Sequence, residues 1–196
     1  MMTLTLDTNC IIDIEMNEGA AAELRHLLVK HDAGQIDLRV AGIMASERLL
    51  VGGYSTTFSG FSERVNRLSS RLINILKPIG RSDVTYWDEG IWADDSMIKL
   101  EADIHSILFS TPYLWADIAL QQGIDPGVIP DENNQEWRKW RNRLCDTSAM
   151  WCHIYYAGDM FVTRDPNFLK SKRVALEMLG AKLIVDPAGA IEAAGA

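Results

Sequence analysis

The chain has 196 residues, and 19 Lys and Arg against 27 Asp and Glu leave a formal charge of −8. At roughly 100–200 residues per domain this length fits one domain with an elaboration, and 47% hydrophobic residues are enough for a sizeable core. The acidic balance argues against holding nucleic acid through overall positive charge, because non-specific affinity comes from Lys and Arg neutralising phosphates; a local basic patch stays open.

Thr3–Leu6 is short, apolar and β-branched, so it is predicted as a buried strand ending at Asp7. Leu24, Leu27 and Leu28 give Ala20–His31 a helical period, and Gly34 is its stop. Ile36, Leu38 and Val40 alternate through Gln35–Ala41, a second strand, and Gly42 separates it from a predicted helix Ile43–Val51. Gly52–Gly60 is predicted as a loop. Val65, Leu68, Leu72, Ile75 and Leu76 mark a helical face in Phe61–Leu76, closed by Pro78. Arg81–Asp95 is irregular and acidic.

Ser96–Leu108 and Tyr113–Gln122 are predicted helical, and Asp125–Pro130, with two prolines and a glycine, is a loop. Glu132–Cys145 and Thr147–Tyr156 are predicted as two helices meeting at Asp146. Met160–Thr163 and Leu183–Val185 are short strands with amphipathic Ser171–Leu179 between them, and residues 187–196 have little to pack and are expected to form a flexible tail. Strands alternating with helices predict an α/β three-layer sandwich around a mainly parallel sheet.

Cys10, Cys145 and Cys152 are odd in number and show no C-x-x-C spacing, which fits a reducing compartment. No apolar run of about 18 residues is present to span a bilayer, and Met1–Thr3 leads directly into a strand. A cytoplasmic protein with no signal peptide and no membrane partner is expected.

In a parallel sheet Asp7 and Asp165 both emerge at the carboxyl edge, where open α/β folds bind ligands. Glu47, expected on the helix after the second strand, and Asp146, expected at a helix junction, can face the same edge. Close carboxylates repel and raise one another's pKa unless a cation compensates. Hard oxygen donors select Mg²⁺ or Mn²⁺, and such clusters activate water against phosphodiesters.

At these residues the chain resembles the PIN-domain family of metal-dependent nucleases, which includes toxin ribonucleases of bacterial toxin–antitoxin pairs. The matching stretches are Leu6-Asp7-Thr8-Asn9 with Ile11-Ile12-Asp13, then Ser46-Glu47, Cys145-Asp146, and Phe161-Val162-Thr163-Arg164-Asp165 with Phe168. They cover roughly residues 3–52 and 142–186. The region 53–131 is longer than a compact PIN domain needs, and Asn167 stands where some relatives place an acid.

The resemblance implies an endoribonuclease with an RNA substrate, in which Asp7, Glu47, Asp146 and Asp165 are catalytic and hold Mg²⁺ or Mn²⁺. Asn9 and Thr163 would support them, and Arg164 would contact substrate. It also implies a homodimer and, for a toxin, an antitoxin protein masking the acidic edge. A non-catalytic PIN-like module binding RNA or protein is the alternative. A haloacid-dehalogenase-like phosphatase with Asp7 as nucleophile is the other, but it wants an acid two positions later, where Asn9 stands.

Each residue also has a plainer reading. Asp7 and Asp165 end strands, as turn-forming or N-capping aspartates do, and Asp146 suits the N-cap of the helix after it. For Glu47 the plainer reading is a solvated helix acid paired with Arg48 or a neighbouring basic residue. Trp137, Trp140 and Leu144 recur at helical spacing among Arg138, Lys139, Arg141 and Arg143. That pattern is an amphipathic helix with basic residues in solvent, or a strip in which Arg138 and Arg141 guide phosphates toward the acids.

Cys145, Cys152 and His153 lack a second ligand pair for zinc. His26, His31 and His105 are scattered, and Gly52-Gly53 lacks the context of a P-loop. Met44, Met97, Met150, Met160 and Met178 are read as packing residues.

Overall fold

The structure, a computed structural model, describes residues 1–47, 57–82, 84–128, 130–131 and 133–195. Met2–Leu6 forms β1, Ile36–Ala41 β2, Asn74–Leu76 β3, Met160–Val162 β4 and Leu183–Val185 β5. They make one all-parallel sheet in the order β3-β2-β1-β4-β5. Leu4 and Leu6 face the core from β1, Leu38 and Val40 from β2, and all three residues of β4 are buried. A parallel sheet covered on both faces needs such runs.

Thr8–Met16 (α1) and Ala21–Asp32 (α2) connect β1 to β2, and Phe58–Asn66 (α3) precedes β3. Asp95–Leu108 (α4), Trp115–Gln121 (α5) and Gln135–Tyr155 (α6) lead from β3 to β4. Pro166–Leu169 (α7) and Arg173–Leu176 (α8) lead on to β5, and Pro187–Ala193 (α9) follows it. Parallel crossovers are right-handed, so helices before β2 and helices before β4 fall on opposite faces. The packing agrees: α2 meets α1 and α9, whereas α6 meets α4 and α5. An α/β arrangement compatible with three layers results.

Several elements differ from the sequence expectations. Helix α1 was not anticipated, because its buried face of Cys10, Ile11, Asp13 and Ile14 includes a carboxylate that interrupts the apolar period. The predicted helix Ile43–Val51 is a 3₁₀ turn over Gly42–Ser46, with Glu47 already extended, and residues 48–51 lie outside the described residues. Gly42 sits tightly there; a Cβ would come within 3.1 Å of the Leu76 carbonyl oxygen. Residues 52–56 of the predicted Gly52–Gly60 loop also lie outside the described residues, and Gly60 itself belongs to α3.

Phe61–Leu76 is not one helix. Thr57 caps α3 through the Gly60 amide, the chain leaves the helix after Asn66, and Asp32 binds the amides of Ser70 and Arg71 at 3.0 Å each. That anchors the turn into edge strand β3, and Leu72, assigned to the helical face, is 73% exposed.

The two helices expected to meet at Asp146 are the single helix α6, capped by Asn134. Trp137, Trp140, Leu144 and Trp151 keep one face buried throughout, so nothing breaks the helix there. Asp146 is therefore mid-helix and not an N-cap. The segment expected as a tail carries α9, capped by Asp186 and seated by buried Pro187 and Ala190. Met178 is 84% exposed and does not pack. All three cysteines are buried and free. Among the described residues no helix is long and apolar enough to cross a membrane.

Candidate functional site

β2 lies to one side of β1 and β4 to the other, so chain order reverses between β1 and β4. The carboxyl ends of these strands diverge into different connections there, the position at which open α/β sheets bind ligands. Asp7 occupies it as the residue after β1; its amide donates to the Val162 carbonyl at 2.9 Å. Its carboxylate also caps α1, accepting from the Thr8 amide at 2.8 Å. The N-cap reading of Asp7 is thus correct, and one oxygen performs it.

The other oxygen, Oδ2, accepts from the Thr163 hydroxyl at 2.6 Å and from the Asn9 amide nitrogen. Asn9 Nδ2 also lies 3.1 Å from Thr163 Oγ1. Asn9 Oδ1 accepts from the Arg164 amide at 3.1 Å, tying α1 to the segment after β4. Asn9 and Thr163 therefore hold the Asp7 carboxylate in place. Asp165 donates its amide to Thr163 Oγ1 at 2.9 Å and caps α7 through the Asn167 amide at 2.8 Å.

Glu47 enters from the turn after β2. The Thr8 hydroxyl donates to its Oε1 at 2.6 Å, a role for Thr8 that the motif carrying it did not disclose. Ser46 donates to the Val84 carbonyl, and its own carbonyl accepts from Arg141 at 3.0 Å. Arg141, from α6, thus ties that helix to the residue preceding Glu47. Asp146 lies five residues further along α6.

Electrostatics links the four acids. Burial pushes the Asp7 carboxyl up to about 6; hydrogen bonds from Thr163, Thr8 and Asn9 oppose it and the charge of Asp165 adds to it. Burial likewise carries Glu47 to about 8, with Asp7 adding repulsion, while the Thr8 hydrogen bond and Arg64 oppose it. Asp146 is held well above the ordinary carboxylate range by burial, then by the charges of Asp7, Glu47 and Asp165. Burial raises the Cys145 thiol too, followed by the fields of Glu47 and Asp146.

Compared with known proteins, the chain matches no family model and no curated protein.

Among the described residues, no three His, Cys, Asp or Glu side chains converge closely enough to enclose a metal ion as they stand. Asp7, Glu47 and Asp165 are each turned toward a local hydrogen-bond donor. The donor set nevertheless has the chemistry of a hard-cation site: carboxylate oxygens from four segments, three of them with raised pKa. A divalent cation offsets that kind of mutual repulsion.

The basic residues fall in different places. Arg164 pairs with buried Asp13, whose other oxygen accepts from the Ala20 amide at 2.9 Å. Gly19, at φ +54°, is required beside it, since a Cβ there would lie 2.5 Å from that carboxylate. In the sequence the only signal of Asp13 is that of a lone acid in the apolar run Ile11–Ile14. Arg138 lines an open concavity of about 270 Å³ with Gln135, Lys139 and Asn142. Trp137 and Trp140 are buried, as the amphipathic-helix reading requires. His153 is buried between Thr5 Oγ1 and the Ala181 carbonyl, each at 2.9 Å, and burial lowers its pKa to about 4.

Proposed function

We propose that the protein is a Mg²⁺- or Mn²⁺-dependent nuclease of the PIN type that hydrolyses RNA phosphodiesters. One observation carries this reading: Asp146 stands in the combined field of Asp7, Glu47 and Asp165, and Asp7 and Asp165 follow the neighbouring strands β1 and β4 where the chain order reverses. Acids gathered from four separate segments and left in repulsion suit a polyvalent cation better than they suit a core. Asp7, Glu47, Asp146 and Asp165 would hold it. When bound, a divalent ion supplies positive charge to phosphoryl oxygens and makes water more acidic.

The protein's own residues then divide the work. Asn9 and Thr163 fix the orientation of Asp7, and Thr8 fixes that of Glu47. Arg164 and Arg138 contact phosphates flanking the cleaved linkage, and Arg141 does so while holding the turn before Glu47. Water adds at phosphorus and one P–O bond breaks, leaving a phosphate monoester and a hydroxyl. The preference for RNA rests on the PIN resemblance, as do an antitoxin partner masking the acids and a homodimer.

A binding module of the same fold, without cleavage, is the second reading. It is favoured by the inward turn of the carboxylates toward Thr8, Thr163 and Asn167. Incubating the purified chain with Mn²⁺ and a panel of structured and single-stranded RNAs separates the two. The nuclease reading expects cleavage that chelation stops and that Asp7→Asn and Asp146→Asn each remove. Retention of RNA on a filter with no cleavage in any divalent ion selects the binding module.

A further inference from the structure

The six tryptophans fall into two groups. Trp115, Trp137 and Trp140 pack on one another with ring centroids 4.7–5.9 Å apart, and Trp151 is fully buried. Trp87 and Trp92 are 92% and 96% exposed. Large aromatics left in water on a folded segment mark interaction sites, and tryptophan is enriched among residues that dominate binding energy.

The segment that carries them is held by many bonds. Ile91 donates its amide to the Pro78 carbonyl at 2.8 Å and accepts from the Gly80 amide at 2.9 Å, closing residues 78–91 at their base. Gly80 and Gly90 pass so closely that a Cβ on Gly90 would lie 2.5 Å from the Gly80 Cα. The Glu89 amide donates to the Tyr86 carbonyl, and the Tyr86 hydroxyl donates to the Ala45 carbonyl at 3.3 Å. Trp87 and Trp92 are therefore displayed on a fixed backbone, which reduces the ordering cost of binding.

Charge identifies the partner. Residues 82–98 contain Asp83, Asp88, Glu89, Asp94 and Asp95 and no Lys, Arg or His. The flanking bases are engaged elsewhere: Lys77 with the Asp88 carbonyl, Arg81 with Glu101 and Tyr113, and Lys99 with Asp103. Phosphates would be repelled here. Ammonium and guanidinium groups would be attracted twice, by the carboxylates and by the indole faces, on which cations bind best among aromatic side chains.

We propose that residues 84–95 form a docking surface for a lysine- and arginine-rich segment of a partner protein, with Trp87 and Trp92 receiving its cations among Asp88, Glu89 and Asp95. Docking there requires neither metal nor cleavage, although Val84 and Tyr86 of the same segment bond Ser46 and Ala45, just before Glu47.

Octa-arginine and octa-lysine, titrated calorimetrically into the intact protein at physiological salt, test it. Saturable binding at one site is expected. The double variant Trp87→Ala/Trp92→Ala should weaken it about tenfold, as two lost cation–π contacts imply, with unfolding temperature unchanged. Asp88→Asn/Asp95→Asn should weaken it as well, whereas Asp117→Asn/Glu192→Gln, elsewhere on the surface, should not. Unchanged affinity in the tryptophan variant overturns the proposal. A short oligouridylate whose binding depends on the same tryptophans overturns it in favour of nucleic acid. Self-association abolished by the tryptophan variant overturns it in favour of a second copy.

Discussion

Two sets of buried acids in this molecule have been treated in opposite ways. In the middle region Glu101, from α4, is fully buried, and the Arg81 guanidinium and the Tyr113 hydroxyl both reach its Oε2. Burial still raises its pKa, but the largest opposing influence is a full positive charge. Asp13 is likewise buried against Arg164. At the sheet edge, Asp7 and Glu47 take hydrogen bonds from Thr8, Asn9 and Thr163, which are neutral donors. Arg64 is the weakest of the influences on Glu47 and is itself paired with Glu15. Neutral donors orient a carboxylate without cancelling its charge. The first set has a cation within the chain, joining α4 to Arg81 and α1 to the segment after β4; the second is held mainly by neutral donors, and the proposed cation would supply its counter-charge.

The largest effect that would break this comparison is on cleavage. Asp146→Asn keeps the size of the side chain and removes one ligand of the proposed cation, so Mn²⁺-dependent RNA cleavage should fall by about 10³-fold, near 4 kcal/mol of transition-state stabilisation. Metal-free stability should not fall with it, because the charge removed is one that Asp7, Glu47 and Asp165 oppose. A large loss of stability in Asp146→Asn would place that residue among the structural acids instead.

Next in size is the opposite case. Arg81→Met leaves Glu101 buried without its cation and should destabilise the fold by about 3 kcal/mol in urea titration, the usual scale for half of a buried ion pair. Adding Glu101→Gln should restore most of that loss. If Arg81→Met costs no more than a surface substitution, the contrast between compensated and uncompensated acids does not hold.

Much of this architecture could be read in residue order, and the failures have local causes. β1, β2, β4 and β5 announce themselves through alternating or continuous apolar residues, and Asp7 and Asp165 through their position just past two of them. β3 does not, because an edge strand of three residues buries only Leu76 fully, too little for period two to beat the helical spacing of Val65, Leu68 and Leu72. Asp146 looked like a boundary because an acid between Cys145 and Thr147 resembles a cap; on one continuous helix it is instead aimed by Trp140 and Leu144 packing before it and Trp151 after it. The link from Thr8 to Glu47 joins residues 39 apart and depends on β1 and β2 being neighbours. No local pattern contains it, nor the contrast between exposed and buried tryptophans.

A smaller effect concerns pH. Glu47 at about 8 and Asp7 at about 6 sit above their unfolded values, so the folded state binds more protons than the unfolded state and stability falls as pH rises toward those values. His153, lowered to about 4 from 6.5, works the other way and adds stability as pH rises from about 4 to 6.5. Asp32 and Asp159, lowered to about 2, lose their contribution only as pH falls below the ordinary aspartate range. Between pH 6.5 and 8 His153 and the lowered aspartates no longer contribute to the change, and each raised carboxyl that still holds its proton in the folded state, Glu47 and Asp146 being the candidates, removes at most about 2 kcal/mol. Chemical denaturation without divalent ions should show stability declining across this range, Glu47→Gln should make the decline shallower by the share of that one carboxyl, and Mn²⁺ should remove it by binding the ionised acids.

The smallest effect isolates a single hydrogen bond at the edge. The Thr8 hydroxyl lowers the pKa of Glu47, so it binds the carboxylate more strongly than the acid. Thr8→Val preserves branching at Cβ and removes that donor. Its cost should depend on pH: near zero at pH 5, where Glu47 is protonated, and about 1 kcal/mol at pH 9, where it is charged. The variant's decline in stability should also extend to higher pH than the wild type's, since Glu47 then loses a proton less readily. A cost equal at both pH values would mean that Thr8 serves the packing of α1 and not the charge of Glu47, and the uncompensated set would shrink by one member.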